Sequence, residues 1–276
     1  MKLTISSQNK LQKIITIFKS LNKVSENVNI HANSERLYIQ GKCSINVCIA
    51  ELNLTREWFD TYECDETVVL GINCEILFKI MSCINDNQTM HISHDGTDKM
   101  FIEFKGDNTI EKSFEVSLID IDTDVLDLPY KEHMVDIKIG SSVYNELITQ
   151  MKMFGEEATF TCSQTDVKLT TTSVSGTSNI ILNEDNLVEY GIEEDANLVS
   201  SFGLNYLHIV SLFSRITSNI AIHLSENFPI EFRFIVEKDW MDEDDDEDED
   251  ENDEDELGIS KQNILRFFIA PKIDDE

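Results

Sequence analysis

The chain has 276 residues, 41% of them hydrophobic, and carries 53 Asp and Glu against 22 Lys and Arg for a net charge of −31. That apolar content excludes a disordered acidic polymer, and the length suits one large domain or two of about 135 residues, each able to bury its own core. Six cysteines without C-x-x-C spacing, an N-terminus without an apolar signal run and no apolar stretch of about 18 residues predict a soluble, reduced, intracellular protein with free thiols and no membrane span.

In chain order, a strand-like Leu3-Thr4-Ile5 precedes a helix over 8–23, with Ser6 and Ser7 as cap candidates and Leu11, Ile14, Ile15, Phe18 and Leu21 on one face. Period-two alternation predicts strands at 28–32, 90–93, 101–104 and 114–118, and Leu77, Ile80 and Met81 mark a second helix over 73–82. Segment 120–132 alternates acids with aliphatics and contains Pro129. It reads either as a plain edge strand or as an extended connector whose Leu126 and Leu128, if exposed, mark a docking site. Helices follow over 141–153, led by Val143, Leu147, Ile148 and Met151, and over 205–215, led by Ile209, Val210, Leu212 and Phe213. Strands at 220–224, 230–237 and 263–269 close the chain. Between the last two lies 242–256, fourteen acids broken only by Asn252, whose like charges predict an extended hairpin loop.

The order of elements repeats. Leu70-Gly71-Ile72-Asn73 matches Phe202-Gly203-Leu204-Asn205 at an offset of 132, and Leu3-Thr4-Ile5-Ser6-Ser7 matches Ile137-Lys138-Ile139-Gly140-Ser141 at about 134. The agreement predicts an α+β chain of two tandem-duplicated domains, 1–118 and 134–276, joined by a loop over 119–133. Each domain is expected to pack two helices on antiparallel sheets of roughly nine strands.

The four helices hold seven basic residues, Lys10, Lys13, Lys19, Lys23, Lys79, Lys152 and Arg215, against two acids, Glu75 and Glu146. Lys13, Lys19 and Lys23 fall opposite the apolar stripe with Lys10 at its border, and Lys79, Lys152, His208 and Arg215 lie on polar faces. Singly, each is an ordinary solvated face. Together, basic helices in an acidic chain suit sequence-independent contact with phosphates, and the lack of interleaved aromatics favours duplex over single strands. His91 and His94 fall on a strand face and its following turn rather than forming a metal pair, and no phosphate loop, nucleophile elbow or zinc-protease motif is present. The residues predict no enzyme, no metal and no cofactor.

Three strings are similar to proliferating cell nuclear antigen (PCNA), the DNA sliding clamp family. They are Phe59-Asp60-Thr61-Tyr62-Glu63-Cys64-Asp65, the run Leu118-Ile119-Asp120-Ile121-Asp122 continuing to Leu128-Pro129, and Phe267-Phe268-Ile269-Ala270-Pro271-Lys272-Ile273-Asp274-Asp275-Glu276. The resemblance covers the whole chain, with 242–256 as its one sizeable insertion. It implies a homotrimer closed head to tail around duplex DNA, a processivity factor in DNA replication and DNA repair. Localisation would be the nucleus, or a cytoplasmic replication site if the source is viral. Polymerase, clamp loader, ligase and nuclease would dock through short peptide motifs.

The resemblance assigns a partner-peptide pocket to Ile45, Val47, Leu126, Leu128, Pro129, Pro229, Phe268, Ile269, Ala270 and Pro271. It assigns the subunit interface to strands around 113–118 and 177–183, with Phe114, Val116, Asn179 and Ile181. The acidic run, at the far end of its hairpin from Pro229 and Ala270, is expected to leave the pocket open. Glu63, Glu66, Glu146, Thr149, Met153, Asn205 and Leu212 depart from the family pattern, a lining thinner in charge that implies weaker DNA contact, and Lys42 and Asn46 replace a methionine and a histidine that usually help form the peptide pocket. Gln164 stands at the family's ubiquitin-modified lysine, so that regulation is expected to be absent. Two other readings remain: a subunit of a heterotrimeric checkpoint-type clamp, and an acidic chaperone of basic proteins.

Overall fold

Each half of the chain runs through the same series of elements. The first half consists of β1 (Lys2–Ile5), α1 (Gln8–Leu21), β2 (Asn27–Ala32), β3 (Arg36–Lys42), β4 (Cys48–Thr55), a 3-10 turn (Arg56–Trp58), β5 (Thr61–Glu63), β6 (Val68–Asn73), α2 (Cys74–Met81), β7 (Thr89–Ser93), β8 (Lys99–Lys105) and β9 (Lys112–Ser117). The second repeats it as β10 (Val135–Gly140), α3 (Ser141–Lys152), β11 (Glu157–Cys162), β12 (Asp166–Ser173), β13 (Gly176–Asn183), a 3-10 turn (Glu184–Asn186), β14 (Glu189–Ile192), β15 (Leu198–Gly203), α4 (Leu204–Ser211), β16 (Asn219–Leu224), β17 (Ile230–Ile235) and β18 (Ile264–Ile269). The computed structural model describes residues 1–122, 124–126, 128, 132–236 and 262–272. The fold is the expected α+β duplication.

The described residues form two units. One comprises those of Met1–Gly41, Glu51–Pro129 and Ile235–Leu265, the other those of Lys42–Ala50, Tyr130–Phe234 and Arg266–Glu276. In the first, strands run side by side in the orders β5-β1-β7-β8-β9 and β4-β3-β2-β6; in the second, the orders are β14-β10-β16-β17-β18 and β13-β12-β11-β15. The strands arise from the alternation read in the sequence. Along β8, Met100, Ile102 and Phe104 point inward while Lys99, Glu103 and Lys105 turn away. Helix α1 seats Leu11, Ile14, Ile17 and Phe18 on the first core, with Ile17 rather than the expected Ile15 completing the stripe. The second core is rich in aromatics: Phe213 lies 4.6 Å from Phe267 and 6.3 Å from Phe234, ring centre to ring centre.

The repeat register differs from the string match at one place. Ser141 follows Gln8 by 133 positions, within one of the expected offset, but Leu204 follows Cys74 by 130 rather than 132. Asn73 caps α2, its side chain accepting the Ile76 amide at 3.1 Å, and the residue at the same point before α4 is Gly203, not Asn205. Helix α4 also stops at Ser211 instead of 215. Leu212, Phe213 and Ser214 each bond back three residues, so the chain tightens and turns Phe213 into the core.

The second unit buries a charged cluster around Glu231. Glu231, 4% exposed, accepts from Arg233 Nε at 2.7 Å and Nη2 at 3.2 Å, with His133 Nε2 also at 3.2 Å. Burial alone would raise its carboxyl pKa, but the hydrogen bonds from His133 and Arg233 outweigh that and bring it to about 2. His133 stacks on His223, whose Nδ1 lies 2.6 Å from Asp136. Flanks of the acidic run are rooted in the first unit: Trp58 Nε1 donates to the Val236 carbonyl, and Asn53 Nδ2 to that of Gln262. The run itself, and the expectation that it leaves the peptide pocket open, lie outside the described residues.

Candidate functional site

Helix α1 begins where the Ser7 side chain accepts the Lys10 amide. Of its four sequence-selected lysines, Lys19 and Lys23 stand in solvent. Lys10 instead donates to the Trp58 carbonyl at 2.6 Å, with its ammonium 5.5 Å from the indole centre, and Lys13 is only 8% exposed. An angle count around a helix does not register neighbouring chain such as the turn at Trp58, which meets this end of α1. On α2, Lys79 pairs with Glu75 at 2.6 Å across one turn, so the surface there is neutral.

The second unit carries little free positive charge on its helices. Lys152 is exposed at the end of α3, but exposed Met153 and Phe154 follow it. On α4, burial and then the Lys152 ammonium hold His208 below the usual imidazole range, leaving it uncharged at neutral pH. Arg215 is exposed, beyond the end of the helix.

The four expected interface residues sit on two strands that each have one neighbour among the described residues. β9 ends its sheet beside β8, and β13 ends its sheet beside β12. On β9, Phe114 packs 5.6 Å from Phe104 and Val116 is buried. On β13, Asn179 accepts from Thr170 Oγ1 at 2.9 Å, and Ile181 is 55% exposed.

The expected peptide pocket is divided between the units. Ile45, Val47, Pro229, Phe268, Ile269, Ala270 and Pro271 belong to the second, Leu126 and Leu128 to the first, and Pro129 lies outside the described residues. The second unit brings some of its set together: the Ala270 amide donates to the Val47 carbonyl at 2.9 Å. Ile45 projects into solvent from the loop between β3 and β4, where Asn46 adopts a left-handed backbone (φ 55°). Phe268 and Ile269 are buried, so their side chains serve the core.

The connector is laid across one row of β-sheet neighbours in the first unit. Gly71, Asn29 and Gln40 are cross-strand partners on β6, β2 and β3. The Ile119 amide donates to the Gly71 carbonyl, Asn29 Nδ2 to the Ile121 carbonyl at 3.0 Å, and Gln40 bonds both main-chain groups of Leu126. A Cβ at Gly71 would lie 2.0 Å from the Ile119 oxygen, so glycine is required for this approach. The second unit has a matching crossing: the Lys272 amide donates to the Ser201 carbonyl, and Ser201 follows Gly71 by 130 positions. Lys272 Nζ then pairs with Glu157 at 2.6 Å. Neither Gln40 nor Lys272 was selected from the sequence; the glycine recurring before α2 was the only signal near either.

Gln164 is committed to its surroundings, Nε2 donating to the Glu193 carbonyl at 2.8 Å and to that of Ala196 at 3.3 Å. His91 and His94 bond Thr4 and the Lys99 carbonyl separately, and no group of three metal-ligating side chains occurs among the described residues. Burial pushes the Cys48, Cys74 and Cys162 thiols up to about 12, with Cys43 adding to the effect on Cys48, whereas Cys83 is exposed. No helix among the described residues is long and apolar enough to cross a membrane.

Residues 2–126 match the family model described as proliferating cell nuclear antigen, N-terminal domain, and residues 127–242 match the one for its C-terminal domain. A relative named "Proliferating cell nuclear antigen 2", from Drosophila melanogaster, is 22% identical over 267 residues, covering 96% of this chain and 94% of its own.

Proposed function

Because the chain belongs to the proliferating cell nuclear antigen family of DNA sliding clamps, we propose that three copies close head to tail into a ring around duplex DNA. The ring tethers polymerase, clamp loader, ligase and nuclease through peptide motifs during replication and repair, in the nucleus, without a bond-making step of its own. Domains 1–118 and 134–276, joined through 119–133, supply the two halves of each subunit.

The observation that carries this reading is that β9 and β13, the two strands assigned to the subunit interface, both end their sheets among the described residues. Each leaves a row of backbone groups unpaired on one side, and joining β9 of one copy to β13 of the next satisfies both. Different edges meeting at each contact make the association head to tail, which closes into a ring when the rotation per copy divides a full turn. Exposed Lys19 and Lys23, with Lys152 and Arg215, then supply point charges to phosphates, and contact with phosphates carries no sequence information. Light scattering of the purified protein over a concentration series is expected to give about three times 31.6 kDa. A persistent single-chain mass would overturn self-sufficient closure and favour the heterotrimeric alternative.

A further inference from the structure

Gln40 bonds one connector residue in the way a neighbouring strand would. Its Oε1 accepts the Leu126 amide at 2.8 Å, and its Nε2 donates to the Leu126 carbonyl at 3.0 Å. The pair of bonds reproduces that between two residues of an antiparallel ladder, with a side-chain amide replacing a peptide unit. Nε2 also donates to Tyr38 Oη at 3.1 Å, and Tyr38 Oη donates to Glu51 at 2.5 Å. Tyr38 and Glu51 are 4% and 3% exposed. With its one proton committed to Glu51, the Tyr38 hydroxyl meets Gln40 as an acceptor. That polarity dictates which end of the Gln40 amide is nitrogen, and it is the end that suits the Leu126 carbonyl.

The spacing of anchors shows what the clasp controls. Two positions separate the Ile119 and Ile121 anchors, and five separate Ile121 from Leu126, although Gly71, Asn29 and Gln40 stand on successive strands only about 4.8 Å apart. The second span therefore has chain to spare. Gln40 is the anchor that ends it, beside Val125 and Leu126, which are 41% and 37% exposed.

We propose that Gln40 is a positioning residue for peptide capture. By pinning Leu126 before a partner arrives, it presents the apolar pair Val125 and Leu126 as a set surface for an extended peptide with aliphatic and aromatic anchors. This rests on the tethering role proposed above. Pre-ordering removes a conformational cost from the binding step, so its loss appears as weaker capture while every direct contact with the peptide is kept.

The test uses the full chain and a labelled synthetic peptide of that composition. In the free protein, Gln40→Ala is expected to speed hydrogen exchange at the Leu126 amide while the melting temperature stays near that of the unmodified chain. Peptide affinity should fall about tenfold, the effect of returning roughly one residue's ordering to the binding step. Tyr38→Phe, which keeps the ring and removes the hydroxyl, should give a smaller loss in the same direction. Gln40→Glu should bind poorly at neutral pH and recover relative to the unmodified chain as the pH falls, because a protonated carboxyl restores the donor and acceptor pair. Unchanged exchange at Leu126 in Gln40→Ala would overturn the clasp. Faster exchange with unchanged affinity would overturn its role in capture. Failure of the unmodified chain to bind any such peptide, with Leu126 still protected, would overturn the tethering reading and this inference with it.

Discussion

The connector in the first unit and the C-terminal segment in the second make the same opening move. Each leaves the last strand of its half and donates an amide to β6 or β15, at Gly71 and at Ser201. Beyond that point they diverge: Asn29 and Gln40 hold the connector with neutral amides, whereas Lys272 holds its segment through an exposed ion pair with Glu157. Duplication has preserved main-chain geometry and released side-chain chemistry. The helices show the same divergence, with solvent-facing lysines on and just beyond α1 and exposed Met153 and Phe154 following α3.

The buried Glu231–Arg233 pair of the second unit gives the largest expected effect. Glu231→Ala strands Arg233 and should cost about 3–5 kcal/mol in denaturant titration. The folded-state pKa of Glu231 is depressed to about 2, so its contribution is present above the unfolded carboxylate range and is lost as the pH falls toward 2. Urea titrations of the unmodified chain and Glu231→Gln should therefore converge over that acidic window. In the first unit, Gly71→Ala drives a Cβ against the Ile119 oxygen and should cost about 2 kcal/mol, whereas Gly191→Ala in the second meets nothing within 4 Å and should stay within about 0.5 kcal/mol. Equal effects at the two glycines would show that the connector is not held at β6.

Charge on the helices sets the next test. Replacing Lys19 and Lys23 together by alanine should flatten the salt dependence of duplex binding, the slope falling by about 0.9 for each phosphate no longer neutralised, and Lys152→Ala should remove at most one such step. A larger effect from Lys152 would reverse the assignment of basic character to the first unit. The smallest change expected is at Lys272→Ala, below about 1 kcal/mol because the ion pair is exposed to solvent.

Local signals made most of the fold legible. Alternation along 101–104 gave β8, Ser7 and Asn73 marked two helix starts, and the order of elements revealed the duplication. What escaped depends on residues far apart in the chain. Gln40 and Leu126 are 86 positions apart, and Lys10 meets Trp58 across 48, so no spacing announces either bond. The end of α4 was hidden for a different reason: apolar residues continue through 212–216 at helical spacing, although the backbone has already tightened. Of the candidate site, β9 was legible because alternation locates strands, whereas β13 was reached only through the family resemblance. The solvent-facing lysines were only half legible, because helical angle does not report what neighbouring chain covers.

Gln164 bears on how this chain could change over evolutionary time. Its amide ties down the carbonyls of Glu193 and Ala196, so the position has acquired a structural duty. A lysine placed there would either turn its ammonium toward those same two oxygens, hidden from any modifying enzyme, or swing free and release the loop. Presenting a modifiable amine at 164 would thus require at least one compensating change elsewhere to keep the loop tied down.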